Sequence, residues 1–261
     1  MPPFGVNISM ESVMKNIRTV LIIALLAAIA GCGGPEDRKA AHMEKSQALF
    51  DDENFKKARL EFKNVLQIDP TDIPARYALG QTLEKTQNWR GAAGHYLGIL
   101  EADPNHRDAL SRMGQIYLLG RNVEKALEHA DKILEKAPSD ADGLTLRAGV
   151  SSIDGNLDEA KLDVLAALES SPGHANASAL LASLYLREGA PDKSISTLED
   201  ALEQNPDNAT IRTLLARVHT QIGNNDAAAA LYLEIIEREP TILGYRLRLA
   251  NFHVALEQKD E

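Results

Sequence analysis

From about residue 40 to the end of the chain, apolar residues recur at three- and four-residue spacing, the period of a helix with one buried face. The runs are interrupted in two ways that alternate. One interruption is a short polar or glycine-bearing turn: Asp51-Asp52-Glu53-Asn54, Leu119-Gly120-Arg121-Asn122, Asp154-Gly155-Asn156, Glu188-Gly189-Ala190 and Ile222-Gly223-Asn224. A glycine there takes the left-handed conformation that ends a helix. The other interruption is a proline, at Pro70, Pro104, Pro138, Pro172, Pro206 and Pro240, with every interval 34 residues. Proline ends the preceding helix because it has no backbone N–H to donate. The pattern predicts two helices of about 13 residues per unit, each ~20 Å long.

Other columns keep the same period, which marks an internal repeat. A small column reads Ala58, Ala92, Ala126, Ala160, Ser194 and Ala228. A second reads Ser46, Gly80, Gly114, Ala148, Ala182, Ala216 and Ala250. A larger one reads Phe62, Tyr96, Ala130, Val164, Leu198 and Tyr232, and another Leu66, Leu100, Leu134, Leu168, Leu202 and Ile236. Small residues let neighbouring helices approach, and the larger ones fill the space around them. The units run 39–72, 73–106, 107–140, 141–174, 175–208 and 209–242, with a half unit over 243–261. Arg147 and Ser151 stand in usual core columns of the fourth unit, and Pro191 opens the second helix of the fifth, where proline is tolerated in the first turn. Looser packing is expected in those two units.

This arrangement resembles the tetratricopeptide repeat (TPR), with Asn88-Trp89, Ala92, Tyr96, Ile99, Leu100 and Pro104 as the fullest copy. The resemblance implies an all-α fold, an α-α superhelix or TPR solenoid of about six and a half 34-residue helix-turn-helix repeats. Its concave face would be lined mainly by the first helix of each repeat. Residues 243–261 match a first helix whose partner would follow. That helix either caps the array or belongs to a longer one, and the longer array is the favoured expectation.

The amino terminus reads differently. Lys15 and Arg18 precede the apolar run Val20–Ala30, then Gly31 and Cys32. Eleven apolar residues are too few for a spanning helix, which needs about 20, and they fit the core of an export signal. Leu26-Ala27-Ala28-Ile29-Ala30-Gly31-Cys32 closely resembles a bacterial lipobox. In that family the signal is cut before the cysteine, which then carries lipid, and each buried methylene adds about 0.8 kcal/mol of membrane affinity. Residues 1–31 are thus expected to be a lipoprotein signal, with Met14 the true start, and 32–38 a lipidated tether. Gly33, where an Asp would signal inner-membrane retention, leans toward the periplasmic face of the outer membrane.

Composition narrows the chemistry. The 28 Lys and Arg against 38 Asp and Glu give a net charge of -10. Loss of residues 1–31 removes Lys15, Arg18 and Glu11, leaving 26 against 37, or -11. That balance argues against nucleic acid, whose phosphates need clustered cations. A single cysteine excludes an internal disulfide and a four-thiolate zinc site. No Gly-rich phosphate loop, paired metal-spaced histidines or nucleophile elbow is present, so no enzyme, cofactor or metal is expected. His219 and His253 share a column held by Tyr117 and Tyr185 elsewhere, which reads as packing. Trp89 shares one with Phe55, Val123 and Leu157, and is expected in the core.

The candidate binding site is the first-helix face. One column reads Gln47, Gln81, Gln115, Gly149, Ser183, Arg217 and Asn251, and stacked amides there offer donors and acceptors to an extended peptide backbone. Neighbouring columns add Tyr77, Lys85, Ser111, Leu118, Leu119, Ile153 and Arg187. The groove would be apolar in its middle, flanked by Lys85 on one side and Arg187 and Arg217 on the other, suiting a segment with an apolar centre and acidic ends. Acidic second helices, such as Glu199, Asp200 and Glu203, read as a solvated outer face.

Ala58-Arg59-Leu60-Glu61-Phe62-Lys63-Asn64-Val65-Leu66-Gln67-Ile68-Asp69-Pro70, followed by Ala75-Arg76-Tyr77-Ala78-Leu79-Gly80, looks like the opening of the large TPR lipoproteins of exosortase (PEP-CTERM) and exopolysaccharide systems. The resemblance implies a membrane-anchored adaptor holding an envelope protein or peptide. Two alternatives stay open: a pilus or outer-membrane assembly lipoprotein, and a recruitment subunit of a cell-wall or capsule enzyme.

Overall fold

A computed structural model of the chain describes residues 34–260, with side chains as far as Leu256. The expected signal, residues 1–31, and the first two residues of the expected tether, Cys32 and Gly33, lie outside the described residues. Among those described there are thirteen helices and no strand, so the fold is all-α, as the repeat pattern predicts. The helices alternate as first and second members of each repeat. First helices are α1 (Pro35–Asp51), α3 (Ile73–Lys85), α5 (Arg107–Leu119), α7 (Ala141–Asp154), α9 (Ala175–Arg187), α11 (Ala209–Gln221) and α13 (Leu243–Asp260). Second helices are α2 (Phe55–Ile68), α4 (Trp89–Ala102), α6 (Val123–Lys136), α8 (Leu157–Ser170), α10 (Pro191–Gln204) and α12 (Asn225–Arg238). No described helix is long and apolar enough to cross a membrane.

The chain divides into two compact units, one ending at Ala75 and one beginning at Arg76. In the first, α1 packs on α2, with Ala58, Phe62 and Val65 buried. In the second, successive helices pack on one another from α4 to α13, and first helices of neighbouring repeats also touch. This nearest-neighbour packing is how a repeat array builds a continuous core from units that cannot bury their faces alone.

The small columns do what their size permits. Ala58, Ala92, Ala126, Ala160, Ser194 and Ala228 are all fully buried. So is the larger column from Phe62 through Leu198, with Tyr232 nearly so. In the second small column Ala148, Ala182 and Ala216 are buried, whereas Ala250 on α13 is exposed.

Helix starts are capped locally. Asn88, Asn122, Asp140 and Asn208 each accept a hydrogen bond from a backbone N–H three residues on. Such caps are typically worth ~1 kcal/mol. His106 and His174 do the same through Nδ1.

Four expectations change. The segment expected as a tether, 32–38, is helical from Pro35 on, where α1 begins. Gly34 caps the helix, Pro35 fills its first turn and Asp37 Oδ2 accepts the Gly34 N–H at 2.9 Å. The left-handed turn residue in the third repeat is Arg121 (φ 54°), not Gly120, which is at -80°. Arg147 leaves the core and forms a two-pronged pair with Asp163 at 2.7 Å on both arms. The neighbouring Leu146 is buried instead and lies over Gly114, its Cδ1 2.6 Å from where a Cβ would stand, so the fourth repeat keeps its core. Trp89 is not buried but 42% exposed. It opens α4, and its column neighbours Phe55, Val123 and Leu157 are only half-buried, so the larger indole keeps much of its surface in water.

Candidate peptide groove

Three consecutive first helices, α5, α7 and α9, line an open cavity of ≈ 380 Å³. Gln115, Leu118 and Leu119 come from α5, and Asp142, Thr145, Leu146 and Gly149 from α7. Asn176 and Leu180 close it from α9. The helical register explains the set: residues three and four apart share a face, so Gln115, Leu118 and Leu119 rise together, as do Asp142, Thr145, Leu146 and Gly149. Gly149 is the floor. A Cβ at that position would stand 2.8 Å from Leu118 Cδ1, so only glycine lets Leu118 lie across it.

The polar groups at the rim are already oriented. Gln115 Nε2 donates to Ser111 Oγ at 3.3 Å, one helical turn away. The Asp142 carboxylate is held by Arg107 Nη2 at 2.8 Å and by His174 Nε2 at 3.1 Å. His174 Nδ1 accepts the Ala177 N–H at 3.2 Å, so its Nε2 carries the proton given to Asp142. Burial opposes the charge on Asp142, but the His174 and Arg107 contacts prevail and hold the carboxyl below its usual range. Asp142 is therefore a committed anion with its partners in place.

A second cavity, ≈ 350 Å³, lies on the other side of α9. Its lining includes Ser183 and Leu186 of α9 and Arg217 and Gln221 of α11. Arg217 is exposed and makes no ion pair among the described residues. Arg187 is also exposed, but its Nη1 donates to the Ser152 carbonyl at 3.2 Å and to Ser152 Oγ at 3.0 Å, which ties α9 to α7.

The candidate residues thus separate into groups. Gln115, Leu118 and Leu119 meet in the first cavity, and Arg217 lines the second. Ile153 and Lys85 are exposed outside both, and Gln81 is half-buried. Tyr77 is taken up by packing: its hydroxyl accepts from Arg112 Nε at 3.3 Å, and its ring centroid is 5.6 Å from that of Tyr96. Beside this pair, burial raises the Glu84 carboxyl even though Arg112 Nη1 stands 3.4 Å away. Ser111 is a correction, being only 3% exposed beneath the Gln115 amide, with almost no surface to offer a ligand.

Sequence reasoning missed Asp142, Thr145, Leu146, Asn176 and Leu180 as groove residues. A signal was available for two of them, because Asp108, Asp142 and Asn176 stand 34 residues apart at the second position of their helices. No group of three His, Cys, Asp or Glu residues is placed to hold a metal among the described residues.

Profiles described as "Tetratricopeptide repeat" match residues 77–141 and, in two overlapping copies, 153–218 and 185–248. The chain belongs to the tetratricopeptide repeat family. The TPR fold also appears in the solved structures it is similar to. A thermophilic TPR protein from Thermus thermophilus is 23% identical, with 70% of this chain and 99% of that one covered and a TM-score of 0.61. A TPR protein from Parabacteroides merdae is 17% identical, covering 82% and 83%, at 0.65. Pseudomonas aeruginosa pilF is 18% identical, covering 84% and 100%, at 0.53. At these identities the likeness is one of fold. A search of curated proteins gave no match. The TPR fold generally serves protein–protein interaction.

Proposed function

We propose that this TPR chain is a lipid-anchored adaptor of the bacterial cell envelope that holds a protein or peptide partner in the groove formed by its first helices. The observation that carries the reading is the apolar cavity shared by α5, α7 and α9, rimmed by the amides of Gln115 and Asn176. Backbone donors and acceptors of an extended segment find both kinds of partner in such amides. The anchor rests on the order of charge, apolar run, small residues and Cys32 along residues 15–32. Acylation of Cys32 would place the body at the membrane through the short stretch before α1, on the periplasmic face of the outer membrane. The likeness of the opening repeats to exosortase and exopolysaccharide TPR lipoproteins supports service in export or sorting at that surface. The acidic surface gives nucleic acid no footing.

Two experiments test the two halves. Metabolic labelling with a fatty-acid probe in the native host should mark wild-type protein and spare Cys32→Ser, which should also leave the membrane fraction; equal labelling of both would refute the anchor. A cross-linked pull-down should recover an envelope protein with wild type and lose it when Gln81, Gln115 and Leu119 are all changed to Glu, with helicity retained. Equal recovery would move the site off the groove.

A further inference from the structure

The two cavities share α9 as their common wall. Leu180 and Asn176 face the first, and Ser183 and Leu186 face the second. They are therefore neighbouring subsites on one face, one helix apart. Packed helices stand about 8–10 Å apart, and an extended strand covers that distance in about three residues. The subsites differ in chemistry. The first is lined by Leu118, Leu119, Leu146 and Leu180, with a glycine floor, and its one lining carboxylate, Asp142, is engaged by His174 and by Arg107, which Asp108 and Asp140 share. The second carries the Arg217 guanidinium, which has no carboxylate partner among the described residues.

We propose that the groove selects an extended acidic peptide, with one large aliphatic or aromatic side chain in the first cavity and an Asp or Glu three residues away on Arg217. This rests on the groove reading above and specifies its ligand. The amides of Gln115 and Asn176 take the backbone beside the apolar anchor, and Gln221 stands beside the acidic one. The chain's negative charge does not forbid an acidic ligand. Beyond a Debye length of about 8 Å that field is screened at physiological salt, whereas the guanidinium acts at contact and forms a charge-assisted pair.

The test uses the full chain in detergent and labelled nine-residue synthetic peptides of four designs, Leu-x-x-Glu, Glu-x-x-Leu, Leu-x-x-Lys and Ala-x-x-Glu, together with a random-sequence pool. Binding is read by fluorescence anisotropy. The proposal expects one of the two Leu/Glu designs to bind at least tenfold more tightly than Leu-x-x-Lys and Ala-x-x-Glu. Arg217→Glu should abolish that preference and improve binding of the Lys peptide, while Gly149→Val should weaken every Leu peptide. The charge reversal carries the decision, since Arg217 is exposed and its replacement leaves the core intact. Equal affinity for the Glu and Lys designs, or indifference to Arg217→Glu, overturns the acidic selectivity and leaves the groove standing. Failure of the random pool and all four designs to bind overturns the groove reading with it.

Discussion

The ring of Tyr96 lies over Gly80, with Cε1 only 2.6 Å from where a Cβ at that glycine would stand. Tyr96 is fully buried and its phenol is pushed well above the usual tyrosine range, first by burial and then by the neighbouring Glu84. A wholly buried ring cannot swing aside, so the glycine is fixed by its neighbour. Gly80→Ala is expected to overpack the contact by ~1–3 kcal/mol, against a gain of about 1 kcal/mol in helix propensity. Gly94, with nothing within 4 Å of its virtual Cβ, has only the gain. Urea unfolding should show Gly80→Ala less stable than wild type and Gly94→Ala more stable by ~1 kcal/mol. The same sign at both sites would contradict the packing account.

The left-handed turn positions form a column of their own: Glu53, Gln87, Arg121, Gly155, Gly189 and Gly223 all have positive φ at intervals of 34 residues. Three are glycine and three carry side chains that resist this conformation by ~1–2 kcal/mol. Gly155→Ala should therefore destabilise by about 1 kcal/mol. Arg121→Gly relieves strain but frees the unfolded chain, at a cost of about 0.4–1 kcal/mol, so a smaller stabilisation is expected. Thermal unfolding of both variants checks the ordering: Gly155→Ala below wild type, Arg121→Gly at or above it.

Acid should act on the first unit through Glu61. Its carboxylate meets Lys45 Nζ at 2.5 Å, His42 Nδ1 at 2.7 Å and Asn64 Nδ2 at 3.2 Å. Lys45 first, and then His42, hold it down to about 2. A carboxyl depressed in the folded state stabilises above its unfolded value, near 4.5, and that stabilisation fades as pH falls toward 2. Glu61→Gln should lower the melting temperature at pH 7 and converge on wild type as pH drops through this window. A pH-independent difference would mean that the charge is not what Glu61 contributes.

The fully buried Ala126 and Ala160 make a stability prediction in the second unit. Replacing either by Leu should cost roughly 1–3 kcal/mol by overpacking. Leu162, on the same helix as Ala160 and mostly exposed, should accept Ala within about 0.5 kcal/mol, as exposed positions do. Equal losses at Ala160→Leu and Leu162→Ala would mean that the column is not a close-contact seam.

The fold was legible because repetition averages out single-residue accidents. Six prolines and two small columns in register fix helix ends and close-approach seams whatever any one repeat does. What one repeat does alone was not legible. Gly120 attracted the left-handed turn by residue type, while the period placed it at Arg121. Arg147 left a core column because Asp163, on the partner helix, was there to receive it. Trp89 and Ser111 were misjudged in opposite directions, since exposure depends on what neighbouring helices cover. The groove was half legible: Gln115, Leu118 and Leu119 lie on one predicted face. Asp142 was missed because its role depends on Arg107, 35 residues earlier, and on His174, 32 later.

Two exposed leucines on opposite types of helix allow a direct test of groove binding. Leu119 lies on α5 at the cavity rim and is 66% exposed; Leu162 lies on α8 and is 70% exposed. A photo-reactive amino acid placed at each position in turn, in the full chain in its native host, would report what each face touches. A discrete cross-linked envelope protein from position 119 and none from 162 is the expected result. Cross-links from 162 alone, or the same adducts from both positions, would contradict a partner held in the first-helix groove.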